Sequence, residues 1–136
     1  MVNSLFILGA LIFGVLGAFH LFYTLFSNKF DAFDPSVTEA MKSTSPVLTK
    51  ETTMWRAWVG FNASHSIGAL LIPAFYIPVA AFHADLLLQS FWLSILPTLI
   101  GICYLILAKN YWFKIPFIGV AVATLLFALA ALLINT

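Results

Sequence analysis

The chain has 136 residues, of which 62% are hydrophobic and only 8% are charged. Soluble domains carry about 25% charged residues, so the composition excludes an ordinary soluble domain and favours a lipid bilayer as the solvent. The formal net charge is +1 and the chain has no basic cluster, so no nucleic-acid partner is expected. The length fits one domain, and we predict a single integral membrane domain over residues 1–136.

The sequence contains four hydrophobic runs, which extend over residues 4–26, 55–80, 86–108 and 112–134. Each is close to the ~20 residues that cross a hydrocarbon core about 30 Å thick, and helices are the expected form there. The first run has no basic segment before it and no small-residue cleavage site, so we predict a retained span. The predicted fold is all-α, a four-transmembrane-helix bundle with up-down-up-down order.

The basic side chains predict the orientation of this bundle. They lie in or beside the connections between spans 1 and 2 and between spans 3 and 4, and they are Lys29, Lys42, Lys50, Arg56, Lys109 and Lys114. In a four-span chain these two connections share one side of the membrane, and the positive-inside rule makes that side cytoplasmic. We therefore predict a cytoplasmic loop over residues 27–54 and both termini outside. Interfacial aromatic residues, Trp55, Trp58, Tyr111 and Trp112, lie at the same ends of the spans.

The long connection between the first two spans contains a helix signal. Asp34 and Pro35 form a cap followed by a favourable first-turn residue, and Ser36 with Glu39 fits a capping box. We predict a short helix over residues 35–43 that lies on the cytoplasmic membrane surface. Loops of this length are often lids or binding elements, or else simply flexible, and the sequence leaves both interpretations open.

The second span carries polar side chains where membrane helices are normally apolar. Helical spacing places Trp58, Asn62, His65 and Ser66 on one face of this span. The span is expected to begin before the membrane, with Thr49 as its cap. Beside the polar face, the small residues Gly60, Ser64 and Gly68 predict close contact with a neighbouring helix, and Pro73 and Pro78 are expected to bend or end the span.

A partner for that polar face lies on the first span. His20 and Thr24 share one face there, and the 1.5 Å rise per residue places His20 roughly 10 Å and His65 roughly 13 Å inside the cytoplasmic ends of their spans. Because the two spans run antiparallel, we expect the imidazoles to meet. The predicted ligand-binding residues are His20, Thr24, Trp58, Asn62, His65 and Ser66, with Tyr104 joining them from the polar stripe of the third span.

The use of this cluster is the open question. Hydrogen bonds between membrane helices are worth ~0.6–2 kcal/mol, so a purely structural contact is one interpretation, but ionisable residues at membrane depth favour a functional site. Helices that pack about 8–10 Å apart leave little room for haem between two histidines, although haem or chlorin on one histidine stays open. No metal site is predicted, since a third strong ligand is missing. An apolar pocket for a lipid-soluble ligand such as a quinone, isoprenoid or carotenoid fits best.

Two motifs carry a resemblance that covers essentially the whole chain. Residues 17–24 read GxxHLxxT and residues 58–68 read WxGFNxSHxxG, followed by Tyr111-Trp-Phe-Lys-Ile-Pro116. This arrangement resembles an uncharacterised group of small bacterial four-span membrane proteins, and the four-span layout is similar to that of the DoxX-like family. The resemblance implies a multi-pass protein of the bacterial cytoplasmic (inner) membrane, and it implies no activity.

Three functional hypotheses follow. The favoured one is a small membrane binding or accessory protein, which holds a hydrophobic molecule or serves as a subunit of a larger membrane complex or homo-oligomer. The first alternative is a membrane redox enzyme with a histidine-ligated, haem-like cofactor, and the second is a small transporter. An enzyme is the less favoured class. A secondary transporter usually carries a charged group or a broken helix at the midplane; every acidic residue here lies outside the spans, although Pro73 and Pro97 could break helices.

Overall fold

The computed structural model describes residues 1–136, and all of its regular structure is helical. The six helices are α1 (Val2–Phe26), α2 (Pro35–Ser43), α3 (Met54–Phe82), α4 (Ala84–Gln89), α5 (Phe91–Tyr111) and α6 (Lys114–Asn135). Helices α1, α3, α5 and α6 are long and apolar enough to cross a membrane. The all-helical class and the multi-pass membrane character are therefore confirmed, and α2 has the predicted bounds. The up-down order and the sidedness of the termini stay predictions.

The beginning of the third span differs from the prediction. The apolar run over 86–108 is divided into α4 and α5, and the spanning helix begins only at Phe91. Ser90 separates the two helices because its backbone is extended and its hydroxyl accepts a hydrogen bond from the Leu93 N–H at 3.3 Å. Serine at a helix N-cap satisfies one of the otherwise unpaired N–H groups of the first turn. This local bond therefore separates α4 from α5 within a run that hydropathy alone predicts as one helix.

The second span also begins later than its predicted cap. Thr53, not Thr49, precedes the first residue of α3, and its hydroxyl accepts from the Arg56 N–H at 3.2 Å. Thr49 instead accepts from the Glu51 N–H at 3.1 Å, which stabilises a turn within the loop. At the other end of α3, Pro73 and Pro78 lie inside the helix and do not end it.

The chain folds as two compact units, one made of residues 1–16 and 69–136 and the other of residues 17–68. The first unit has an aromatic core. The rings of Phe6, Phe13, Tyr76 and Phe127 are almost completely buried, and Phe127 contacts each of the other three with centroids 6.2–6.3 Å apart. Such separations are typical of favourable aromatic pairs. This ring cluster joins the first half of α1, the second half of α3 and the middle of α6.

A tyrosine in this unit stabilises the backbone at a proline. Pro97 lies inside α5 and has no N–H, so the carbonyl of Leu93 loses its usual helical partner. The Tyr76 hydroxyl donates a hydrogen bond to that carbonyl at 3.1 Å. In a membrane-spanning helix no water is at hand to replace the missing N–H. Tyr76 therefore permits a proline inside α5.

Close approach of α5 and α6 depends on a glycine. A Cβ atom added at Gly101 would collide with the Thr124 hydroxyl, and that hydroxyl is held in place by donating to the Val120 carbonyl at 2.7 Å. Ser94, Pro97 and Gly101 lie along the buried stripe of α5. Small residues on such a stripe allow two membrane helices to pack closely.

In the second unit, the connection between α1 and α3 is folded by its own contacts. Asp34 is the N-cap of α2 and accepts from the Ser36 N–H at 2.9 Å, which lowers the pKa of its carboxyl group. The predicted capping box is wrong, because Ser36 follows the cap. Glu39 accepts a 2.8 Å hydrogen bond from Lys42 and so raises the pKa of that ammonium group. Lys42 also lies 5.8 Å above the centre of the Trp55 ring, a cation–π distance.

Candidate binding site

A hydrogen-bond chain on α3 reaches across to α1 within the second unit. The Asn62 amide nitrogen donates to the Trp58 carbonyl at 2.9 Å, and the Asn62 amide oxygen lies 3.0 Å from His20 Nε2. The carbonyl of Trp58 can only accept, so the amide group must present its nitrogen to Trp58 and its oxygen to His20. Consequently His20 Nε2 carries the proton of this bond, and the backbone of α3 determines which imidazole nitrogen is protonated.

The two predicted histidines come together in this unit. The ring centroids of His20 and His65 are 5.3 Å apart, with an interplanar angle of 70°. Both residues are half-buried. An edge-to-face contact at this distance is direct ring-to-ring packing. It leaves no gap for a porphyrin plane between the imidazoles, and His20 Nε2 already donates to Asn62.

The first turn of the loop after α1 covers one side of His20. The Phe30 ring lies 4.5 Å from the His20 ring, centre to centre. The Trp58 indole N–H donates to the Phe30 carbonyl at 3.2 Å and so ties this part of the loop to α3. Trp58 was predicted for the site, whereas Phe30 was missed. Its only sequence signal is an aromatic side chain four residues beyond the end of α1.

The remaining polar residues on these two helices bond to their own backbones. The Thr24 hydroxyl donates to the His20 carbonyl at 2.8 Å. Ser66 is fully buried, and its hydroxyl donates to the Asn62 carbonyl at 2.9 Å. Hydroxyls that bond the carbonyl four residues earlier are a common arrangement in membrane helices. Both side chains flank the histidines without donating their hydroxyl protons to them.

Tyr104 belongs to the first unit. Its ring makes an edge-on contact with Phe13, with centroids 5.4 Å apart, and a second one with Trp112 at 6.1 Å. The six other predicted site residues all lie within residues 17–68. The role of all seven in ligand binding stays a prediction.

A separate groove lies beside another face of α3. It has a volume of about 420 Å³ and is bounded by a loop segment and one side of the helix, with lining residues Pro46, Leu48, Thr49, Thr52, Ala57, Gly60, Phe61 and Ser64. Helical spacing puts Gly60 and Ser64 opposite Asn62 and Ser66, so the predicted position of these small residues beside the polar face is wrong. The groove therefore does not contain the hydrogen-bond chain. A Cβ at Gly60 would meet no atom within 4 Å. The predicted close helix contact at Gly60 is therefore absent within the chain.

No group of three or more His, Cys, Asp or Glu side chains is placed to hold a metal ion. The second unit brings two imidazoles into contact on two helices that are long and apolar enough to cross a membrane. One of the two imidazoles is oriented by an amide and covered by an aromatic ring. Comparison of the chain with protein-family models, with curated proteins and with solved structures finds no match.

Proposed function

We propose that the protein is a membrane-embedded binding protein whose His20–Asn62–His65 cluster holds the polar group of a lipid-soluble ligand. The observation that carries the proposal is the bond between Asn62 and His20, in which the orientation of the amide is set by the Trp58 carbonyl. Binding sites for such ligands are mostly apolar, with a few polar groups that fix orientation. The cluster supplies those polar groups on helices that are otherwise apolar.

The depth of the cluster supports this function over a purely structural contact. Ionisable side chains are expensive inside a bilayer and mark functional sites there. A register-fixing contact needs only one hydrogen bond between helices, and the Asn62–His20 pair already provides it. The ring of His65, whose centroid lies 5.3 Å from that of His20, adds a second ionisable group at the same place.

We further propose the orientation that the basic residues predict. Residues 27–53 then lie on the cytoplasmic side, both termini lie outside, and the cluster occupies the cytoplasmic half of a bacterial inner membrane. In this orientation Trp58 and Phe30 lie between the cluster and the cytoplasm. A ligand therefore enters sideways from the lipid, which agrees with a lipid-soluble molecule.

The geometry disfavours the main alternative, a haem held between the two histidines. Two axial iron bonds would require the histidine rings to separate. They would also require His20 Nε2 to lose the proton that it donates to Asn62. A transporter usually carries a charged residue or a broken helix near the middle of the membrane. Here α3 continues through both of its prolines, and all acidic residues lie outside the spans.

The experiment that tests the proposal compares molecules that co-purify with three forms of the chain. The wild type, His20→Ala and His83→Ala are extracted in lipid nanodiscs, and their bound organic molecules are identified by mass spectrometry. His83 precedes α4, outside the spans, and serves as the matched control. The proposal predicts a small molecule retained by the wild type and His83→Ala but lost from His20→Ala. The same molecules in all three samples, or only a large partner subunit, would contradict it.

A further inference from the structure

We infer that the ligand of this cluster presents a hydroxyl group, as a hydrogen-bond donor, to His20 Nδ1. This inference rests on the proposed function and narrows it to one chemical class: lipid-soluble alcohols, phenols and quinols. Quinones and ketones, which only accept hydrogen bonds, fall outside that class.

The first step is the proton on His20. The Trp58 carbonyl accepts from the Asn62 amide nitrogen, so the Asn62 oxygen faces His20 and His20 Nε2 is the donor. A charged imidazole is costly at membrane depth, so the ring carries one proton rather than two. That proton is on Nε2. The other ring nitrogen, Nδ1, is therefore an acceptor with an available lone pair.

The second step concerns the surroundings of that lone pair. The His20 ring bonds to Asn62 and packs against the rings of Phe30 and His65. His20 is only half-buried, and the buried side-chain atom that lacks a partner in this protein is Thr98 Oγ1, not a nitrogen of His20. The Nδ1 edge is thus not sealed inside the protein, and a ligand can reach it.

The third step concerns the hydrogen-bond donors around the ring. The hydroxyls of Thr24 and Ser66 each donate to a backbone carbonyl, and the Trp58 indole N–H donates to the Phe30 carbonyl. Each of these three donor groups is therefore already engaged in a hydrogen bond to a backbone carbonyl. A ligand carbonyl would find no donor on them or on His20, whereas a ligand hydroxyl finds the Nδ1 lone pair. Unpaired polar groups in an apolar site are penalised, so at His20 a hydroxyl is favoured over a carbonyl.

The test uses three probes that share one apolar tail. They are 4-decylphenol, its methyl ether, and the aryl ketone 4-decylacetophenone, and their dissociation constants are measured on the full chain in nanodiscs. A single hydrogen bond is worth about 0.5–1.5 kcal/mol, so the phenol should bind about 2- to 10-fold more tightly than the other two. This preference should vanish in His20→Leu and persist in His83→Ala.

A second variant changes the predicted selectivity rather than the affinity. Asn62→Leu removes the acceptor that holds the Nε2 proton, so the ring becomes free to donate and the ketone should gain affinity relative to the phenol. A merely structural role of Asn62 would not shift this ratio. The wild-type comparison stands by itself if this variant does not fold.

The outcomes separate the two proposals. Tighter, His20-dependent binding of the ketone would overturn the hydroxyl assignment and leave the proposed binding function standing. Phenol preference that survives in His20→Leu would overturn the assignment of Nδ1 as the acceptor. Failure of all three probes to bind, or equal binding of each probe to wild type and His20→Leu, would overturn both proposals.

Discussion

Asn62 Oδ1 lies 3.0 Å from His20 Nε2 and connects two helices through residues that are 42 positions apart. Because the other end of the same amide bonds the Trp58 carbonyl, the backbone of α3 sets the protonation of a side chain on α1. Without this amide, nothing would determine which ring nitrogen of His20 carries the proton. Asn62 is thus a positioning residue, and His20 is the residue that contacts the ligand in our proposal.

Replacing Tyr76 by Phe should destabilise the protein through the backbone of α5. The substitution keeps the ring in the aromatic core but leaves the Leu93 carbonyl unsatisfied, because Pro97 supplies no N–H. We expect the free energy of unfolding in detergent to fall by about 1–2 kcal/mol. Equilibrium denaturation, followed by tryptophan fluorescence, measures the change.

The control for this prediction is a double-mutant cycle with Pro97→Ala. The alanine restores the N–H that bonds the Leu93 carbonyl, so Tyr76→Phe should cost clearly less in that background. Equal costs in the two backgrounds would show that the tyrosine hydroxyl does not compensate for the proline.

Alanine at two glycines should have opposite effects on stability. In Gly101→Ala the new methyl group collides with Thr124, so we expect a loss of about 1–3 kcal/mol. In Gly60→Ala the methyl group meets nothing within 4 Å, and alanine is about 1 kcal/mol better than glycine in a helix. Thermal unfolding of both variants checks this contrast. A stable Gly101→Ala chain would contradict the close packing of α5 on α6.

The cap of α2 should respond to pH. The Ser36 N–H lowers the pKa of the Asp34 carboxyl in the folded chain. The cap therefore stabilises α2 fully above the ordinary aspartate pKa of about 3.9, and this contribution disappears as the pH falls through the lower, folded-state pKa. A carbon NMR titration of Asp34 should give a midpoint below the ordinary value. Ser36→Pro removes the N–H, so the titration midpoint of Asp34 should return to the ordinary aspartate value. An unchanged midpoint would show that the Ser36 N–H does not lower this pKa.

The orientation of the chain can be tested by cysteine labelling. After Cys103→Ala, single cysteines are introduced at Asn3, Ser43 and Thr136 and exposed to a membrane-impermeant reagent in intact cells. We expect the two terminal sites to be labelled and Ser43 to be protected until the cells are broken. The reverse pattern would overturn the orientation that the basic residues predict.

Periodicity and hydropathy predict much of this protein because both depend on local sequence. They predict the four spans, and the local cap signal of Asp34 and Pro35 predicts the helix over 35–43. Helical spacing, combined with the estimated depth of each residue, predicts that His20, Asn62 and His65 lie together. Other features depend on contacts that spacing does not encode. The Ser90 cap divides an apolar run, and Phe30 reaches His20 only because of the path of the loop.

Nitrogen NMR of the chain with ¹⁵N-labelled histidine gives the sharpest test of whether His20, oriented by Asn62, contacts a lipid-soluble ligand. The two ring nitrogens of an imidazole have distinct shifts in each protonation state. We predict that His20 is protonated at Nε2 alone, and that 4-decylphenol shifts its Nδ1 signal while His83 is unchanged. A proton on Nδ1, or a His20 spectrum that does not respond to the phenol, would contradict the role proposed for His20.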